Sequence, residues 1–153
     1  MAEMNRPLNV IERDTHWEIN VNRKPVTGCF IDNRFTIDVS EREFILAVHF
    51  GGEFTYITAT TDDSDQPREY RLEAGTTPTS LCPALSVLHK STELVSAYKA
   101  GRIEVRFIDG SVLKAASDPK YESWEITGAD GLLIVCTPGG KLAVWLPKYD
   151  SLK

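Results

Sequence analysis

Apolar and polar residues alternate along most of the chain, the period-two pattern of strands with one buried face. In RFTIDVS, Phe35, Ile37 and Val39 fall on one side, with Thr36 and Asp38 on the other. The pattern repeats in FILAVHF, with Phe44, Leu46, Val48 and Phe50 facing in; Gly51-Gly52 then reads as a two-residue hairpin turn, and EFTYITAT follows, rich in β-branched and aromatic residues. Residues 35–60 therefore predict a three-stranded meander. A second meander is predicted from ELVSAY, a break at KAG, RIEVRF with Ile103, Val105 and Phe107 facing in, a turn at Asp109-Gly110, and SVLKAAS. The frame Val-x-Phe before a glycine turn occurs in both units, at Val48 and at Val105. It fits either an internal duplication or the likeness that any two amphipathic hairpins share.

A third meander is predicted at the end of the chain. Its first strand runs from Glu122 to Thr127 with Trp124 and Ile126 on one face, and Gly128–Gly131 turns the chain. The nearly all-apolar Leu132–Cys136 suits a strand buried on both faces, and after the turn Thr137-Pro138-Gly139-Gly140 a last strand covers Lys141 to Leu146. The one helical signal is TSLCPALSVLHKS, where Leu81, Leu85 and Leu88 recur at i, i+4, i+7, Thr79 or Ser80 is placed to cap, and Pro83 lies early. The expected fold is mainly β with one short helix, its antiparallel meanders forming a two-sheet sandwich or a partly open barrel. Residues 1–153 are expected to make a single β-rich domain, because a chain of this length buries about two-thirds of its unfolded surface.

Composition adds little to this picture: 42% hydrophobic and 25% charged residues are ordinary for a globular protein. The apolar runs are far shorter than the roughly 20 residues of a membrane helix, and the first residues hold charges of both signs without an apolar stretch. No membrane association and no secretory signal are therefore expected. Cys29, Cys82 and Cys136 are odd in number and far apart, which fits buried free thiols in a cytoplasmic protein.

Charge changes the picture more. The net charge is −5, and residues 31–75 hold ten acids against four bases, a local balance of −6, while the flanking segments are nearly neutral. Nucleic acid is disfavoured as a partner, since phosphate binding needs clustered Lys and Arg; a basic protein surface is favoured.

Chemistry is sparse. His16, His49 and His89 are dispersed without metal-ligand spacing, and His49, alternating with core residues, is expected to face solvent. There is no GxSxG elbow, and TPGGK lacks phosphate-loop spacing and lies between two strands. Glu122 and Glu125 flank Trp124, as carboxylates do in sugar-processing clefts, yet residues three apart on a strand point to opposite faces. The loop with Asp62, Asp63 and Asp65 lacks the glycine and the closing Glu of a calcium loop. No metal, no cofactor and no catalytic residue is nominated, so the chain is expected not to be an enzyme.

The segment DPKYESWEITGADGLLIVCTPGGKLAVW resembles the closing portion of an uncharacterised family of small bacterial proteins classified as a domain of unknown function. The shared positions are a DP-x-YE-x-WE motif (Asp118, Pro119, Tyr121, Glu122, Trp124, Glu125), Gly128 and Gly131, Cys136, and PGG before AVW (Pro138, Gly139, Gly140, Ala143, Val144, Trp145). The resemblance is good from Glu93 onward, weaker over 28–60, and absent in the first two dozen residues and the acidic loop. It implies no catalytic residues. Small proteins of this kind are often encoded beside secreted toxins, so the resemblance implies an immunity protein that neutralises a cognate toxin by occluding its active site or its substrate-binding surface. The partner-binding residues expected on that reading are Glu53, Asp62, Asp63, Asp65, Glu69, Glu73, Glu122 and Glu125. The alternative is a small-ligand-binding β module, with Trp17, Trp124 or Trp145 lining a cavity.

Overall fold

A computed structural model describes residues 8–42, 44–59 and 66–148. Among the described residues, thirteen strands are distributed over two antiparallel sheets that do not close into a barrel. They are β1 (Asn9–Glu12), β2 (His16–Asn20), β3 (Gly28–Ile31), β4 (Phe35–Asp38), β5 (Leu46–Phe50), β6 (Glu53–Ile57), β7 (Glu69–Glu73), β8 (Thr92–Tyr98), β9 (Ile103–Phe107), β10 (Val112–Ala115), β11 (Trp124–Gly128), β12 (Leu133–Cys136) and β13 (Leu142–Trp145). A seven-stranded sheet has the order β1-β2-β8-β9-β10-β6-β7, and a six-stranded sheet the order β13-β12-β11-β5-β4-β3.

The inward residues of both sheets make one apolar core. Phe54 of the seven-stranded sheet stacks on Phe35 and Phe50 of the six-stranded one, with ring centroids 5.2 and 4.9 Å apart. Such pairs add about 0.5–1.5 kcal/mol beyond the area they bury. Trp124 is buried in the same core, and its Nε1 donates to Gly101 O at 2.9 Å, joining β11 to the β8–β9 turn of the opposite sheet. At that joint Gly101 has φ of +110°, and a Cβ there would lie 2.8 Å from the Gly140 Cα. Only glycine serves both the backbone angle and the close approach.

The second and third predicted meanders form as expected, β8-β9-β10 in one sheet and β11-β12-β13 in the other. Ile134, Val135 and Cys136 of β12 are buried, as its apolar run predicts. The first predicted meander does not form. β4 pairs with β5, but β6 leaves for the other sheet, where it lies between β10 and β7. Gly51-Gly52 is thus a crossover between sheets, and neither residue adopts positive φ. The glycines serve close approach instead: a Cβ on Gly51 would stand 3.3 Å from Glu122 O, and one on Gly52 3.0 Å from the Tyr121 ring. The two Val-x-Phe frames accordingly precede different connections, a crossover and a hairpin.

The helical segment also departs from expectation. Pro78–Val87 is a 3₁₀ helix, and its buried residues are Leu81, Ala84 and Val87, while Leu85 and Leu88 are exposed. Pro83 lacks the N–H that an α-helix would use at that point, and the tighter helix repeats every three residues. Neither Thr79 nor Ser80 occupies the cap position, which falls to Thr77. Of the cysteines, Cys136 is buried, Cys29 half-buried and Cys82 exposed, so the expectation of three buried thiols holds only for Cys136. No helix among the described residues is long and apolar enough to cross a membrane.

Candidate functional site

Sheet alternation sends one set of side chains away from the core, and at the β10-β6-β7 end of the seven-stranded sheet that set is charged. The register places Lys114, Thr55 and Arg71 side by side across three adjacent strands. One pleat further along, Glu53 stands directly opposite Glu73. The 116–123 segment passes beside them on its way to β11, and together these elements enclose a cleft of about 540 Å³. Its lining also includes Glu69, Arg102, Ser117, Asp118, Tyr121 and Ser123, with the exposed Ala116 supplying apolar surface.

Electrostatics in the cleft are only partly compensated. Arg102 is engaged elsewhere, at 3.0 Å from Glu104 and over the Tyr98 ring. Among the described residues, Arg71, Lys114, Glu53, Glu69 and Glu73 make no ion pair. Like charges directly opposite on neighbouring strands are destabilising. The carboxylate of Asp118, then desolvation and the more distant Glu73 and Glu53, push the Tyr121 phenol up. Ser123 is 3% exposed, and its side chain lies against the Cys136 thiol, which it lowers against the burial that raises it. The arrangement is suited to holding charged groups of both signs, with the Tyr121 hydroxyl at its side.

Three of the residues expected to bind a partner, Glu53, Glu69 and Glu73, come together in this cleft. Asp62, Asp63 and Asp65 lie outside the described residues. Glu122 is exposed between Tyr121 and Ser123 and is not among the lining residues. Glu125 belongs to the other sheet, where its carboxylate lies 3.7 Å from Arg34. None of the three tryptophans lines the cleft: Trp124 is core, Trp17 packs on the core from β2, and Trp145 is exposed on β13.

His49 is not the solvent-facing residue expected from the sequence. It is half-buried, with Nδ1 2.9 Å from Thr36 Oγ1 and Nε2 3.0 Å from Thr127 Oγ1, bridging β4, β5 and β11. Burial, with the nearby Arg34 charge, pulls its pKa below the ordinary value.

Reading the sequence missed Thr55, Arg71, Lys114, Asp118 and Tyr121. Asp118 and Tyr121 already stood out in the DP-x-YE motif. Lys114 joins Thr55 and Arg71 only through the β6–β10 pairing, which no local signal announces.

The chain matches a family model described as "Family of unknown function (DUF6188)" over residues 17–146, and it belongs to that family. The match takes in the acidic loop and residues 17–24, beyond the stretch over which the closing motif alone carries the resemblance. Searches of curated proteins and of solved structures give no match.

Proposed function

We propose that this member of a family of unknown function is a non-catalytic binding protein of the immunity type. On this reading it neutralises a cognate bacterial toxin in the cytoplasm by covering the toxin's active site or substrate-binding surface. The observation that carries the reading is the Glu53–Glu73 pair, two carboxylates held opposite one another at a cleft, neither in an ion pair among the described residues. A basic group brought by a partner relieves that repulsion on binding, and the acid-rich 31–75 segment steers such a partner in. Co-expression with the protein encoded beside it provides the test. The expected result is a stoichiometric complex and relief of growth arrest, with charge reversal at Glu53 and Glu73 slowing association by about tenfold at low salt. Charge reversal at Asp62, Asp63 and Asp65 extends the same assay to the acidic loop. The absence of both complex and rescue would overturn the reading.

A second reading, a small-ligand-binding module, is favoured by the cleft itself. Its volume of about 540 Å³ lies within the range of small-molecule sites. The ligand would lie against Tyr121 and the β6–β7 face, not against tryptophan.

A further inference from the structure

We infer that the cleft is a site for a small ω-amino carboxylate, a molecule carrying an ammonium at one end of a short methylene chain and a carboxylate at the other. The inference rests on the small-ligand reading above and gives that reading a ligand class.

Two adjacent rows of opposite sign carry it. Lys114, Thr55 and Arg71 form a row that presents two cations and a hydroxyl, and the row beside it presents Glu53 and Glu73. Each strand advances two residues between the rows, so the two charged zones lie roughly 7 Å apart. Within β7 alone the outward sequence is Glu69, Arg71, Glu73, alternating in sign, yet none of these is in an ion pair among the described residues. Opposite charges this close that leave one another unpaired are available to a ligand with two ends.

The surroundings fit the rest of such a molecule. The exposed Ala116 gives apolar surface against which methylenes can lie. Tyr121 is placed at the acidic end, beside Asp118, with the carboxylates of Glu73 and Glu53 near it. A ligand with one charge fits less well. A simple amine satisfies Glu53 and Glu73 but leaves Arg71 and Lys114 unmet, and a simple anion faces the two glutamates. A metal ion is disfavoured by the same two cations, and among the described residues no group of three or more His, Cys, Asp or Glu is placed to hold one.

The test is an NMR titration of the full chain with 6-aminohexanoate, alongside hexylamine, hexanoate and 3-aminopropanoate. The expected result is that 6-aminohexanoate shifts the amides of Glu53, Thr55, Arg71 and Glu73 and binds about tenfold more tightly than either single-charge probe, the effect of one charged hydrogen bond. Arg71→Ala should then reduce its affinity to that of hexylamine, and Glu73→Gln to that of hexanoate. Both side chains are exposed, and a cooperative thermal transition at a midpoint no lower than the parent's confirms that each variant folds. Equal binding of hexylamine and 6-aminohexanoate would overturn the two-ended site while leaving a small-ligand protein. Equal binding of 3-aminopropanoate would overturn the spacing. No shift at the cleft with any probe would overturn the inference and the small-ligand reading together, leaving the protein-partner reading standing.

Discussion

The two sheets share a core but differ in what they do with the faces turned away from it. On the six-stranded sheet the outward polar groups are satisfied within the sheet: His49 bonds to Thr36 and Thr127 on its two neighbouring strands, and Glu125 lies against Arg34. On the β10-β6-β7 end of the seven-stranded sheet, charges of both signs stand in register and remain without ion pairs among the described residues. The first face has spent its polar groups on architecture. The second leaves its charges without ion pairs among the described residues, and this contrast, more than the net charge, is what singles out the candidate site.

The largest effect is expected at the joint that holds the two faces back to back. Trp124→Ala removes a buried indole and leaves Gly101 O without its Nε1 donor, and should cost roughly 3–5 kcal/mol in urea denaturation. The two sheets should still unfold together, as one core implies. A loss below about 1 kcal/mol would show that the joint is carried by other contacts and that the faces are less firmly coupled.

A smaller effect tests the contrast directly, because one substitution should have opposite signs on the two faces. Glu73→Gln removes a like-charge repulsion with Glu53 and should stabilise by about 0.2–1 kcal/mol. Glu125→Gln breaks the contact with Arg34, partly exposed on both sides, and should be neutral or destabilising by no more than about 0.5 kcal/mol. Urea midpoints of the two variants decide the matter. The same sign for both would remove the distinction between a satisfied and an unsatisfied face.

Much of this was legible in the alternation of residues. Phe35, Ile37, Leu46, Val48 and Phe50 are buried where period two puts them, and the last meander lies close to its predicted bounds. What alternation does not contain is the identity of a strand's neighbour. Phe54 and Tyr56 alternate equally well beside β5 or across from it, and the choice is made by Phe54 stacking on rings of the opposite sheet. That long-range choice brings Thr55 beside Lys114 and so creates the cleft. The helical error has a local cause: leucines at helical spacing outweighed Pro83, and the 3₁₀ repeat buried Ala84 and Val87 instead of Leu85 and Leu88. For the site, acidity pointed to Glu53, Glu69 and Glu73, while the bases that give the cleft its second sign were hidden by a net charge that averages them away.

The smallest expected effect concerns pH and the satisfied face. The folded pKa of His49 is lowered by burial and by Arg34, against smaller opposing effects of Glu125, Asp32 and Asp38. Above the ordinary value of 6.5 the imidazole is neutral in the folded and unfolded chains alike and contributes nothing to pH dependence. As pH falls below 6.5, the unfolded chain takes up the proton before the folded one, so stability is lost until the folded pKa is also passed. Thermal midpoints recorded from about pH 8 to about pH 5 should therefore fall more steeply for the parent than for His49→Gln, whose amide keeps partners for Thr36 and Thr127 without titrating. Parallel curves would mean that protonation leaves the bonds to the two threonines intact. The neutral face would then tolerate a charge, and its difference from the cleft would be one of residue choice and not of environment.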